Sequence, residues 1–192
     1  AFRLKHFSFI FQSTNLMRNF TAFENIALTR MLQGYSMESS FAKTREVLAD
    51  LGLDHIDETR MTHELSGGQQ QRLAFARAIL PDFTVLFGDE PTGNLDSDNA
   101  VKAMELLTAK LSSLSGSSAI IVSHDMHLAV SFADVIVKIR KESRPSASVK
   151  DEVSYYGVID DKSVFTTDHN GKWSNGAEEY SPLDFERYLK KW

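Results

Sequence analysis

Leu65-Ser66-Gly67-Gly68-Gln69-Gln70-Gln71-Arg72 is the stretch on which the reading of this chain turns. A Ser-Gly-Gly turn opening a helix leaves backbone N–H groups free at the positive end of the helix dipole, with no Cβ to obstruct an anion. Seventeen residues beyond Arg72, Asp89-Glu90 closes the apolar run Val85-Leu86-Phe87-Gly88. A strand ending in two acids presents one carboxylate to a metal ion and the other to a water molecule. Each feature also has a plain structural reading: a helix N-cap with a flexible turn, and a solvated acidic turn after a strand. Taken together they point to nucleoside triphosphate chemistry.

Outward from that stretch, Phe7 to Phe11 reads as a short buried strand. Thr21 to Leu32 reads as a helix, with Thr21 and Glu24 three residues apart as in a capping box. Met37 to Leu51 reads as a second helix, closed by Gly52. Ser66 caps a third that runs to Leu80 and stops at Pro81. Thr84–Gly88 is strand-like, Ser97–Leu114 a long helix with apolar residues at helical intervals, Ser118–Val122 a strand, Met126–Phe132 a short helix and Val135–Ile139 another strand. Strands and helices alternating from residue 84 onward describe a mostly parallel sheet with helices on its faces. The helical stretch from Thr21 to Leu65 interrupts that rhythm as an inserted subdomain. Four segments are therefore expected: 1–20 with part of the core, 21–65 helical, 66–140 completing an α/β core, and 141–192 as a small α+β extension. Within the last, Glu142–Val149 reads as a linker, Val153–Phe165 as strands, Asn170-Gly171 as a hairpin turn and Pro182–Leu189 as an amphipathic helix. Tyr155-Tyr156, Trp173 and Trp192 are expected to pack it together.

Composition sets outer limits. The chain has 192 residues, 42% of them apolar and 24% charged, enough for one good core. A formal net charge of −5 argues against nucleic-acid binding through global electrostatics. No cysteine is present, so there is neither a disulfide framework nor a thiolate metal site. The longest apolar runs, such as Ala119-Ile120-Ile121-Val122, fall far below the roughly 20 residues of a membrane span.

The motifs in their order resemble the nucleotide-binding subunit of ABC transporters, over roughly Phe7 to Ile139. Leu65–Arg72 matches the signature, Phe11-Gln12 the Q-loop, Val85–Glu90 the Walker B strand, Asn94-Leu95-Asp96 the D-loop and Ile121-Val122-Ser123-His124-Asp125 the switch histidine. Glu90-Pro91-Thr92-Gly93-Asn94-Leu95-Asp96-Ser97 is most similar to the branch serving macrolide export and lipoprotein release. The resemblance implies a P-loop NTPase-like α/β cassette that binds ATP and Mg²⁺ and hydrolyses ATP as a peripheral subunit on the cytoplasmic face of a membrane. It implies that Glu90 polarises the attacking water, His124 contacts the γ-phosphate, and Gln12 and Asp89 hold the metal. Ser66, Gly67, Gly68, Gln69 and Asp96 are implied to meet nucleotide held by a second cassette in a head-to-tail homodimer. The family usually has Thr where Ser123 stands, and often a proline near Arg18.

Leu16, Met17, Phe20 and Phe23 make the loop after Gln12 apolar. The plain reading is core packing of the next helix; the sharper one is a groove for a cytoplasmic helix of an integral-membrane permease. His6, His55, His63, His127 and His169 read as surface or structural. Alternatives from other classes are a DNA-maintenance or translation-factor ATPase, disfavoured by the absence of sustained heptads and of a basic surface, and a non-hydrolysing binding fragment. No nucleic-acid partner is expected.

None of the ten glycines opens the Gly-Lys-Ser/Thr end of a Walker A loop; Gly171-Lys172 continues with Trp173. The expectation is a cassette lacking its first part, unable to hydrolyse ATP alone, with a sheet edge and apolar faces left open.

Overall fold

A computed structural model describes residues 2–145, 153–159, 163–168 and 170–191, with the backbone alone at 140–145 and 153–158. Contacts divide the chain into two compact units, Ala1–His124 and Asp125–Trp192.

In the first unit a short helix α1 (Phe2–His6) leads into β1 (Phe7–Ile10). Helices α2 (Ala22–Leu32) and α3 (Met37–Asp50), a 3₁₀ turn at Thr62–Glu64 and α4 (Gly67–Ile79) follow. Then come β2 (Val85–Asp89), α5 (Ser97–Ser113) and β3 (Ser118–Val122). Local chemistry sets the helix boundaries. Thr21 Oγ1 accepts from Glu24 N at 3.2 Å while Glu24 Oε2 accepts from Thr21 N at 2.8 Å, the reciprocal cap its sequence calls for. Ser36 caps α3, and Gly52 supplies the left-handed φ of +66° just beyond it, which a side chain would resist.

The three strands form a parallel sheet in the order β1-β2-β3. Its register pairs Ile10 with Gly88 and Asp89 with Val122, so all three carboxyl ends lie along one edge. Strand alternation gives the sheet two unlike faces. Ser8, Ile10 and Leu86 point to the helices and are 7%, 2% and 0% exposed. Ser8 Oγ donates to the carbonyl of Ala78 on α4 at 2.6 Å, fastening that helix to the sheet. The other face carries Phe7, Phe9, Phe87, Ile120 and Val122. Phe9 and Phe87 stack at 5.4 Å, while Ile120 and Val122 are 56% and 62% exposed. Helix α4 runs through the middle of the unit, with Leu73, Ala74, Phe75 and Ala76 all buried; its alanines let neighbouring elements approach closely.

The second unit contains α6 (Met126–Phe132), β4 (Val135–Val137), β5 (Arg140–Pro145), β6 (Val153–Val158), β7 (Val164–Thr167), β8 (Trp173–Ser174), β9 (Glu179–Tyr180) and α7 (Pro182–Leu189). Strands β4, β7, β8 and β9 make an antiparallel sheet in that order, and β5 pairs with β6 separately. The core is aromatic: Phe165, Trp173 and Phe185 are each at most 1% exposed, with Tyr180 and Tyr188 packed against it.

Three expectations differ from this arrangement. Val135–Ile139 does not extend the parallel sheet; β4 pairs antiparallel with β7 through Ile136 and Phe165. That pairing, with α6 packed on α7, sorts residues 125–139 with the tail, so the units part at 124/125 rather than 140/141. The expected linker at 142–149 is strand β5 as far as Pro145, and 146–149 lie outside the described residues, as do Trp192 and the side chains of Tyr155 and Tyr156. The Asn170-Gly171 turn forms, with Gly171 at φ +78° and Asp168 Oδ1 accepting from the N–H groups of Asn170 and Lys172 at 2.8 and 2.7 Å. Among the described residues no helix is long and apolar enough to cross a membrane.

Candidate functional site at the carboxyl edge of the sheet

The parallel register delivers Gln12, Asp89, Glu90 and His124 to one edge, Asp89 as the last residue of β2 and the other three just past the ends of their strands. Glu90 N donates to the carbonyl of Val122 at 2.9 Å, extending the β2–β3 ladder by one bond. The chain then turns sharply, with Glu90 at φ +47°, a conformation that costs a non-glycine residue on the order of 1 kcal/mol. That turn brings the carboxylate back across β3. Its Oε1 accepts from the backbone N–H of His124 at 3.0 Å and lies 2.8 Å from His124 Nδ1. The carboxylate is sheltered, with a side chain 19% exposed, whereas the imidazole is 80% exposed. One oxygen of Glu90 is thus engaged by a strand-end histidine. Asp89 and Gln12 flank this pair and are exposed.

The signature turn forms as its sequence predicts. Ser66 Oγ accepts from Gln69 N at 3.3 Å and Gln69 Oε1 accepts from Ser66 N at 2.9 Å, so the Gln69 side chain is engaged at the helix entrance. Among the described residues the hydrogen bonds of Ser66 run to its own helix, to Gln69 and Gln70. A Cβ built on Gly67 or on Gly68 would meet nothing within 4 Å, and neither has a left-handed φ. The fold of this chain therefore does not require glycine there, although glycine inside a helix costs about 1 kcal/mol relative to alanine. Asp96 caps α5, accepting from Asn99 N at 3.0 Å and from Asn99 Nδ2 at 2.7 Å. These bonds hold its carboxyl below the usual carboxylate range.

Phe23, read with the loop after Gln12, is 2% exposed and belongs to the core. Leu16 and Met17 are half-buried, while Phe11 and Phe20 remain 43% and 39% exposed. Several residues of the site were not singled out from the sequence. Gln71, 1% exposed, donates from Nε2 to the carbonyl of Pro91 at 3.3 Å, one residue past Glu90. Arg72 Nη1 reaches the carbonyl of Leu51 at 2.9 Å and Asn99 Oδ1 at 3.4 Å. His55 Nε2 lies 3.1 Å from Gln69 Nε2. The available signal was Gln71 on the same helical stripe as Ala74, Phe75 and Ala78, since a buried amide needs a partner.

Residues 1–93 match the family model described as "ABC transporter". Over 138 residues the chain is 41% identical to the lipoprotein-releasing system ATP-binding protein LolD of Syntrophotalea carbinolica, covering 70% of this chain and 59% of that protein. Over these residues the chain carries the ABC transporter domain. Also 41% identical is the macrolide export ATP-binding/permease protein MacB of Mannheimia succiniciproducens, over 72% of this chain and 21% of that protein. Among solved structures, the dimeric bacterial ABC transporter cassette MJ0796 aligns with a TM-score of 0.63 and 35% identity, over 70% of this chain and 59% of that one. Its post-hydrolysis state bound to ADP and Pi aligns with a TM-score of 0.63 and 32% identity, over 71% of this chain and 59% of that one. The α/β fold of the ABC cassette, with its inserted helices, is therefore the fold of the first unit. The chain spans about 59% of the length of the LolD relative it matches. Among the described residues of this ABC chain no three His, Asp or Glu side chains gather to hold a metal. Asp89 and Gln12 offer a carboxylate and an amide oxygen at this edge, a sparse donor set of the kind compatible with Mg²⁺, which keeps several waters and takes further ligands from substrate phosphates.

Proposed function

We propose that this chain is part of an ATP-hydrolysing cassette that couples hydrolysis to transport by a membrane permease. The observation that carries the reading is the Glu90 carboxylate, sheltered and engaged by His124 at a strand-end edge that also carries Asp89 and Gln12. In this reading Glu90 takes the proton of the attacking water through its second carboxylate oxygen, and His124 holds the carboxylate until γ-phosphate draws the imidazole away. Asp89 and Gln12 hold Mg²⁺, which when bound neutralises charge on the transferred phosphoryl group.

Ser66, Gly67 and Gly68 serve nucleotide on a second cassette, as a homodimer, with Gln69 keeping the turn in shape and Asp96 beside the shared interface. The open space around Gly67 and Gly68 supports this, because it leaves room for a phosphate to approach the backbone. Hydrolysis then removes the charge that holds the halves together. The exposed Phe11 and Phe20, with Leu16 and Met17, offer an apolar surface to a permease helix, which would hold the protein at the cytoplasmic face of the membrane.

The test is a chimera in which this chain follows the Walker A segment of an active ABC cassette. Phosphate release that disappears in Glu90→Gln is the expected result. Turnover unaffected by Glu90→Gln would overturn the reading.

A further inference from the structure

The loop from Phe11 to Phe20 is fastened at two points by side chains reaching in from the helices. Arg77, on α4, donates from Nη2 to the carbonyl of Thr14 and from Nη1 to the carbonyl of Asn15, both at 2.8 Å. Its guanidinium pairs with no carboxylate among the described residues, and burial lowers its pKa. The two carbonyls are thus its designated partners, held by a planar fork that a lysine cannot reproduce. Asn15 sits at φ +46°, a conformation asparagine tolerates better than most residues, and this turns successive carbonyls toward one cation.

The second fastening is Asn25 of α2, fully buried. Its Oδ1 accepts from Met17 N at 2.8 Å, and its Nδ2 donates to the carbonyls of Met17 and Thr21, each at 3.0 Å. Thr62 Oγ1 adds a bond to the Met17 carbonyl at 3.2 Å. Helices α2 and α4 pack against each other, so both anchors belong to one packed body. Between the end of β1 and the first anchored carbonyl, Phe11 stacks on Phe9 at 5.8 Å and Ser13 Oγ donates to Asn15 Oδ1 at 3.2 Å, so Ser13 is tied to the clamped residue.

We propose that Arg77 is a positioning residue for Gln12: it ties Thr14 and Asn15, and Ser13 through Asn15, to α4, so that the residues following Gln12 are held by the helix whose first turn is Gly67-Gly68. Along α4, Gln71 touches the turn after Glu90, Arg72 touches the Asp96 cap through Asn99, and Arg77 touches the Gln12 loop. One rigid helix therefore contacts all three loops. The inference rests on the proposed nucleotide role of Gln12 for its consequence, but not for its geometry.

The chain has no cysteine, so Ser13→Cys accepts a single nitroxide label, with Lys102→Cys on α5 as a control site. The label at 13 should be restricted in the otherwise unaltered chain. In Arg77→Met it should tumble at least about threefold faster, with Arg77→Lys between the two and the label at 102 unaffected. A label at 13 that stays equally restricted in Arg77→Met overturns the clamp. Should Arg77→Met not fold, arginine ¹⁵N NMR of the unaltered chain decides: two bonded Nη groups give resolved signals from hindered rotation, and a single averaged signal overturns it. In the Walker A chimera, Arg77→Lys should lower kcat at least about fivefold while leaving KM for ATP within about twofold. An unchanged kcat overturns the coupling. Because the label measurements involve no nucleotide, the clamp is judged separately from the Glu90→Gln result that judges the proposed function.

Discussion

Glu90 and His124 are joined twice through one oxygen: Oε1 accepts from the His124 backbone N–H at 3.0 Å and faces its Nδ1 at 2.8 Å. The backbone bond places the histidine whatever its protonation state, while the imidazole contact can be exchanged for another anion.

Replacing Glu90 with glutamine keeps an acceptor oxygen for the His124 N–H but removes the proposed base. Turnover of the Walker A chimera should fall by about 10²-fold or more, the range typical of a lost general base, with ATP-dependent pairing retained. Phosphate release and gel filtration with Mg·ATP read the two effects.

Gly68→Ala separates the fold from the shared site. An added Cβ has open space around it, so the chain should keep or gain stability, by up to about 1 kcal/mol. The ATP-dependent pairing of the Glu90→Gln chimera should nevertheless be lost. Urea denaturation of the chain and gel filtration of the chimera make the comparison.

Asp82 supplies a pH dependence. Partial burial opposes its charge, yet the Tyr35 hydroxyl at 2.8 Å and the Lys110 ammonium at 3.0 Å hold its carboxyl below the ordinary carboxylate value. A depressed folded pKa contributes stability above the unfolded pKa of about 3.9, and that contribution is lost as pH falls through the folded value. The urea-midpoint gap between the natural chain and Asp82→Asn should therefore be constant from about pH 7 to 5 and close below about pH 4. A gap that widens in acid would contradict this.

Asn25→Ala removes an amide whose donors and acceptor all have protein partners, stranding the Met17 N–H and nearby carbonyls. A loss of about 1–3 kcal/mol is expected, read as a lower urea midpoint. Amide exchange should rise at residues 14–20 and stay unchanged in β1, β2 and β3.

What the sequence disclosed about this molecule was mostly local. Thr21 with Glu24, and Ser66 with Gln69, lie within one helical turn of each other, so their caps are visible in the residue order. The acids after Gly88 announce themselves because the strand before them is short and apolar. Long-range choices stayed hidden. Val135-Ile136-Val137 has the same apolar texture whether it adds to a parallel sheet or pairs with Val164–Thr167, and only the aromatic core around Phe165 decides. The partners of Gln71 and Arg77 are backbone carbonyls, which every residue carries, so composition cannot mark them.

The left-handed backbone at Glu90 has one more consequence. Glycine there would relax the turn, though it would give up the bond to the His124 N–H, and asparagine would tolerate the backbone better than glutamate does. The acid is therefore held at this position against the preference of its own main chain. Selection for thermal resistance and selection for chemistry pull in opposite directions at residue 90, so a stabilised descendant of this protein would be most at risk of going silent at that residue.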